Sequence, residues 1–344
     1  MAKVLLITDQ HFGVRNDSQI FVNYYEKFYN TVVIPFIDTF KIKDVICLGD
    51  TFDKRKSINF NSLESAKKMW FTPLETRGVN LTMLVGNHDI YYKNTLRINA
   101  PSLLLGEYAN ISIIDRPSEF SVGGLTILGI PWICDDNRSR VYELLEKSVS
   151  PICMGHFEFN GFEAHPGHVM EYGISTDPFK KFDKVLSGHY HSKSNKGNVF
   201  YLGNPYELYW NDYKSKRGFH VFDTETLELK FYRNPFTMFR KEYYNDETNI
   251  EDYSEYSDKY VKIIVENKTD SVKFDRMVEE MYNAGVVELK IIEDLSEYEL
   301  ENDYEVETED TLSLLEKCVD EIEDCDKNSV KTVLKSLYKE AFEI

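Results

Sequence analysis

Five short apolar runs in the first two hundred residues stop in the same manner, each running straight into side chains of the metal-binding type. The run at 4–8 leads into Asp9-Gln10-His11-Phe12-Gly13, that at 45–48 into Gly49-Asp50-Thr51-Phe52-Asp53, and that at 81–85 into Gly86-Asn87-His88-Asp89. The run at 152–154 leads into Gly155-His156, and that at 185–187 into Gly188-His189-Tyr190-His191. Runs this short, rich in Val, Ile and Leu and closed by Gly, read as buried strands; 127–130 is a sixth without such an ending. Between the early runs, residues 19–40 and 61–77 have helical spacing, the second with Asn59, Asn61 and Ser62 as candidate caps and Gly78 at its end. The alternation predicts an α/β sheet with helices on its faces. In such a sheet functional groups gather at the carboxyl ends of the strands, so the five endings share one crevice.

The residue types say what the crevice holds. Carboxylates, imidazoles and an amide oxygen together suit Mn²⁺, Fe²⁺ or Zn²⁺ and are too rich in nitrogen for a typical Mg²⁺ or Ca²⁺ cage. Five of the eight histidines fall in the motifs; only His165, His168 and His220 lie outside. That donor set exceeds the needs of one ion and fits two, roughly 3.5–4 Å apart, the arrangement that hydrolyses phosphate esters. Taken singly, each motif carries little: Asp89 reads equally as a turn residue and Asp53 as a helix cap. All five in order, each after a buried-strand pattern, point to a metal site.

Beyond residue 198 the runs at 199–202, 219–222 and 229–232 lie close together and predict an antiparallel extension of the sheet. Residues 259–266, 271–284 and 286–293 read strand, helix, strand, a compact β-α-β unit. Residues 293–310 hold ten acidic side chains and no basic one, the pattern of an exposed linker. After it, 311–322 and 327–342 have apolar residues at helical spacing. Two such short helices either dock on a partner or pack back on the body. The expected organisation is a core at 1–245, a small unit at 246–293, a linker at 294–310 and a docking segment at 311–344.

The net charge of −18 is unevenly placed. Residues 1–245 carry 29 basic and 28 acidic side chains, while 246–344 carry 11 and 30. The acidity that would repel a polyanion is therefore confined to the last third. The five cysteines are odd in number and form no C-x-x-C pair, which argues against a disulfide or zinc scaffold and for a reducing cytoplasm. No apolar run approaches the roughly 18 residues of a membrane span, and the opening apolar stretch is too short for a signal peptide.

The ordered set D-x-H, G-D-x-x-D, G-N-H-D, G-H and G-H-x-H, spread over residues 1–205, resembles the calcineurin-like metallophosphoesterase superfamily. The D-x-H-x-G opening, the G-N-H-D ending, the small unit after the core and the terminal helices further resemble the SbcD-like nuclease subunits of SMC-like DNA-repair complexes, those of T-even phages among them. The resemblance implies a β-sandwich flanked by helices (αββα), a small α+β DNA-binding cap domain and C-terminal helices. It implies one ion held by Asp9, His11, Asp50 and His191 and another by Asp50, Asn87, His156 and His189, with Asp50 bridging and Mn²⁺ the working ion. His88 would donate to the scissile phosphate or the leaving oxygen, with Asp89 orienting its ring. Asp53 matches a position that is Asp or His in relatives and would act beside the metals. The implied activity is an exonuclease on DNA ends and an endonuclease on single strands or hairpins, serving recombination, replication and repair. The implied partners are a coiled-coil SMC-like ATPase, gripped by residues 311–342, and a second copy of the chain, met through 18–40 and 59–77. The implied setting is a cytoplasm, that of a bacterial host if the chain is phage-encoded.

Charge supplies candidate DNA contacts at Lys54, Arg55 and Lys56, at Lys214, Lys216 and Arg217, and at Arg240-Lys241, with Phe52, Phe60, Tyr206, Tyr209, Trp210 and Tyr213 as possible stacking partners. Lysine-rich loops are commonly just solvated, so charge by itself leaves the substrate open. The competing reading is a phosphoesterase of phosphoproteins or small esters. Protein phosphatases of the superfamily usually carry Arg-Gly after G-D-x-x-D and end the next motif in Glu, where this chain has Lys54-Arg55-Lys56 and Asp89. A metal-free scaffold on the same fold would lack ligand residues, and none is missing.

Overall fold

The structure, a computed structural model, describes residues 2–165 and 168–293 and, beyond them, Val319, Lys327, Val330 and Lys331, all four helical. The acidic linker expected at 294–310 and the rest of the segment at 311–344 lie outside the described residues. Among the described residues no helix is long and apolar enough to cross a membrane.

Two six-stranded sheets make the core of residues 1–245. The first runs Leu229–Arg233, Gly218–Asp223, Lys3–Ile7, Asp44–Cys47, Asn80–Leu84, Ile111–Ile114. The second runs Ser194–Lys196, Val199–Tyr201, Lys184–Gly188, Ile152–His156, Leu125–Ile130, Ser118–Val122. Both faces of the central strands are buried, which is why the sequence shows continuous apolar runs and not alternation. Val4, Leu6, Ile46, Leu48 and Leu84 pack between the sheets against Ile127, Ile152, Met154 and Leu186. Their neighbours Leu5, Ile7, Val45, Leu81 and Met83 face the opposite way, onto Phe21, Tyr25, Phe28, Met69 and Trp70 of the helices. The outer face of the second sheet is covered by Val141 and Leu145 of the helix Arg138–Lys147. The result is the helix-flanked sandwich that the family resemblance implied, with two sheets where the periodicity alone suggested one.

Residues 19–40 form a continuous helix whose turn at Tyr29–Val33 is widened to a π turn, and residues 60–76 do the same at Lys67–Phe71. Each π turn ends two residues before a proline, Pro35 or Pro73. A proline lacks the N–H its turn requires and crowds the carbonyl four residues back, so the ladder shifts by one residue there. Asn59 caps the second helix, accepting from the N–H of Asn61 at 2.8 Å.

The expected antiparallel extension is half right. Gly218–Asp223 pairs antiparallel with Lys3–Ile7, and Leu229–Arg233 pairs antiparallel with it in turn. Val199–Tyr201 instead joins the second sheet, parallel to Lys184–Gly188. Ser194–Lys196 turns back through Gly197 and reverses the chain a second time, which makes the parallel pairing possible. The small unit is a parallel sheet, Phe239–Tyr244, Tyr260–Val265, Glu288–Ile292, whose helix Ser271–Asn283 packs Phe274, Met277 and Met281 on Val261, Ile263 and Val265. Its first strand precedes the boundary expected at 246, because Arg240, Lys241 and Glu242 mask the strand pattern.

Candidate functional site

Lys3–Ile7, Asp44–Cys47 and Asn80–Leu84 are parallel and in register, so their following loops leave the same edge of the first sheet. The loops are stitched together: Asp9 N–H donates to Gly49 O (3.0 Å), His11 N–H to Asp50 O (3.1 Å) and Phe12 N–H to Thr51 O (2.9 Å). The second sheet delivers His156 at the end of its strand and His189 just past Gly188, and Nδ1 of His156 lies 2.7 Å from Leu48 O, bridging the two sheets. Gly86 allows the approach, since a β-carbon there would lie 2.1 Å from Oδ1 of Asp50.

The side chains converge. Among the described residues, Asp9, His11 and His191 form one group of facing donor atoms, Asp50, His156 and His189 a second, and His11, Asp53 and His88 a third. Nε2 of His11 and Nε2 of His191 are 3.1 Å apart. Oδ1 of Asn87 lies 3.0 Å from Nε2 of His156 and 3.0 Å from Nδ1 of His189, and Oδ2 of Asp50 is 3.1 Å from Nε2 of His156. Asp9, His11, Asp50, Asn87, His156 and His191 are buried. Four of the residues have left-handed backbone: Asp9 (φ 51°), His11 (46°), Asp50 (51°) and His189 (89°). Such conformations cost of order 1–3 kcal/mol each and persist where the surroundings over-determine them.

The electrostatics call for cations. Burial alone would lower the basicity of His11, yet the carboxylates of Asp53, Asp50 and Asp9 lift it to about 9. His156 is likewise raised to about 9, burial being outweighed by Asp50 and Asp9. Burial would raise Asp50, but His156, His88 and His11 hold it well below the usual carboxylate range. Protonated imidazoles thus balance a surplus of negative charge. Divalent ions would displace those protons and satisfy nitrogens that otherwise face one another, so the residues present fit such ions.

Three expectations are corrected. Asp89 does not orient the His88 ring: its carboxylate accepts from Thr51 N–H (3.0 Å), Phe52 N–H (3.2 Å) and Gly86 N–H (2.9 Å), binding the second motif loop to the third. Burial and then the charge of Asp50 raise Asp89 to about 6. The His88 ring is held instead by the Asp53 carbonyl oxygen, 2.6 Å from Nδ1. Arg217 is no rim residue. It is 4% exposed and donates to Asp212 Oδ1 (2.7 Å), Asn204 and His191 O. Phe52 and Tyr206 are core residues and present no stacking face.

Lys54, Lys56, Lys214 and Lys216 are exposed, with Lys54 3.5 Å from Asp17. Arg55 is half-buried and donates to Asn87 O at 2.8 Å. Sequence reasoning missed Trp132, whose ring lies 5.0 Å from that of His189, and Glu158, whose carboxylate is 3.9 Å from Nε2 of His189. Trp132 follows the sixth apolar run, and that position was its only signal.

The family model for calcineurin-like phosphoesterases matches residues 2–193. The chain is 32% identical over 343 residues to exonuclease subunit 1 of Enterobacteria phage T4, covering 98% of this chain and 99% of that one. Among solved structures, an archaeal phosphodiesterase superposes with a TM-score of 0.36 at 11% identity, over 67% of this chain and 99% of that one. A protein of unknown function from Aquifex aeolicus gives 0.29 at 18%, over 45% and 78%. With more than half of its length matched by the family, and its motif residues gathered at one edge of the sandwich, the chain belongs to the calcineurin-like metallophosphoesterases.

Proposed function

We propose that the chain is a Mn²⁺-dependent DNA nuclease, an exonuclease on duplex ends and an endonuclease on single strands, working as a subunit with an SMC-like coiled-coil ATPase. The observation that carries this reading is the likeness to the phage T4 exonuclease subunit, which runs the length of both chains and is not confined to the phosphoesterase domain. Asp9, His11, Asp50 and His191 would hold one ion, and Asp50, Asn87, His156 and His189 the other. When bound, two divalent ions supply a water that ionises near neutral pH and positive charge against the phosphoryl oxygens.

The chain's own residues do the rest. A carbonyl only accepts, so Nδ1 of His88 carries a hydrogen toward Asp53 O, and Nε2 is left for the departing oxygen, to which it donates only when the ring carries its second proton. The carboxylate of Asp53, 3.3 Å from Nδ1 of His11, favours positive charge on that side of the ring, while Nε2 of His11 lies 3.1 Å from Nε2 of His191. Lys54, Lys56, Lys214 and Lys216 contact phosphates without reading sequence. The small sheet caps the DNA site, residues 311–344 grip the ATPase, and the helices within 18–40 and 59–77 join two copies.

A 3′-labelled duplex and a generic aryl phosphodiester, each with Mn²⁺, test the reading. Release of labelled nucleotide supports it; hydrolysis confined to the small ester overturns it. Deletion of 311–344 is expected to abolish co-purification with a coiled-coil ATPase while sparing the metal site. Undiminished association would refute the docking role.

A further inference from the structure

Arg55 and Arg217 stand in basic stretches, yet each turns inward and donates to the main-chain carbonyl of one residue of the site. Nη1 of Arg217 reaches His191 O and Asn204 Oδ1, Nη2 reaches Asp212 Oδ1 at 2.7 Å, and Nε reaches Ser215 Oγ at 2.6 Å. The other oxygen of Asp212 accepts from Leu208 N–H (2.7 Å) and Tyr209 N–H (3.1 Å), and Asn204 N–H also donates to His191 O (3.2 Å). Arg217, Asp212 and Asn204 are all buried. On the other side of the site, Nε of Arg55 donates to Asn87 O at 2.8 Å.

The two carbonyls belong to different halves of the site. His191 groups with Asp9 and His11, whereas Asn87 touches His156 and His189 of the group built on Asp50. Both halves rest on left-handed backbone, at Asp9, His11, Asp50 and His189, which persists only where the surrounding structure over-determines it. A guanidinium suits that task, being permanently charged and able to hold several acceptors in one rigid fork.

We propose that Arg217 and Arg55 are positioning residues, each setting the metal affinity of one half of the site through the backbone of one of its residues. This rests on the reading that the two groups hold divalent ions. Partners behind metal ligands typically change affinity by about 10–100-fold when removed.

The test is titration of the metal-free full-length protein with Mn²⁺, with free ion read by electron paramagnetic resonance and the metal-free melting temperature measured in parallel. Wild type is expected to take up two ions. Arg55→Ala, at a half-buried position, is expected to weaken one uptake step about tenfold or more with the metal-free melting temperature unchanged. Arg217→Lys, which keeps the charge and loses the fork, is expected to weaken the other step. In a His191→Ala background, where the side chain that Arg217 positions is gone, Arg55→Ala should still weaken uptake and Arg217→Lys should add nothing. Wild-type affinities in both single variants would overturn the positioning roles alone. Failure of the wild type to bind Mn²⁺ would overturn them together with the metal reading.

Discussion

Asp53 O lies 2.6 Å from Nδ1 of His88, so this half-buried ring is oriented by main chain and not by the acid beside it in sequence. His88 has no place in either proposed ligand set, and its own N–H donates to Oδ1 of Asp50 at 2.8 Å whatever its side chain. His88→Asn is therefore expected to cut cleavage by about 10²–10⁴-fold, the usual worth of a positioned proton donor, with Mn²⁺ uptake unchanged. Single-turnover cleavage beside metal titration checks this. Loss of metal would place His88 among the ligands.

Gly86 makes the opposite kind of prediction, one about space. A β-carbon there would lie 2.1 Å from Oδ1 and 2.4 Å from the backbone nitrogen of Asp50, and the latter cannot swing away. Gly86→Ala should push the loop at 49–51 off the third motif and loosen the hydrogen bond from Gly86 N–H to Asp89. Overpacking of this sort costs about 1–3 kcal/mol. The melting temperature should fall, and Mn²⁺ uptake should weaken at the Asp50 group. Unchanged uptake would mean the loop has slack that the distances do not show.

The lysines of the rim separate from the arginines behind it by salt. If Lys54 and Lys56 contact phosphates, Lys54→Ala with Lys56→Ala should weaken duplex binding and reduce the slope of log affinity against log salt by roughly 0.9 for each phosphate no longer neutralised. Binding measured at several salt concentrations with a duplex that cannot be cleaved checks this. A slope equal to wild type would assign these lysines to the solvent.

Legibility tracked burial. The five strand ends could be read because each strand is apolar on both faces and stops at a residue whose chemistry has no other use in a core. Asp9, His11, Asp50, His156 and His191 are thus legible as an ordered set, though not singly, and their convergence follows from parallel strands ending at one edge. What could not be read was direction. Arg217 and Lys216 are adjacent in sequence, yet one is buried on Asp212 and the other exposed, because only the tertiary path of 204–212 supplies an anionic niche. Asp89 follows His88, but its bonds are to backbone N–H groups brought in by another loop. The pairing of Val199–Tyr201 depended on a reversal at Gly197 that hydrophobic periodicity does not encode.

Glu207 gives the chain a pH dependence away from the metal site. It is 2% exposed, and its Oε2 accepts from Met238 N–H (2.7 Å) and Phe239 N–H (3.0 Å), tying the core to the first strand of the small sheet. Burial is the largest influence and lifts the carboxyl from 4.5 to about 7, against those two N–H groups. Between these values the folded chain holds a proton that the unfolded chain has lost, so the stability Glu207 contributes falls as pH rises and is lowest above about pH 7. The span corresponds to a loss on the order of 3 kcal/mol. Glu207→Gln keeps an oxygen for the two N–H groups and cannot titrate. Urea midpoints taken from about pH 5 to pH 8 should fall further in wild type than in this variant, with the curves diverging toward the alkaline end. Parallel curves would show that Glu207 is ionised in the folded chain throughout and that its two N–H partners outweigh its burial.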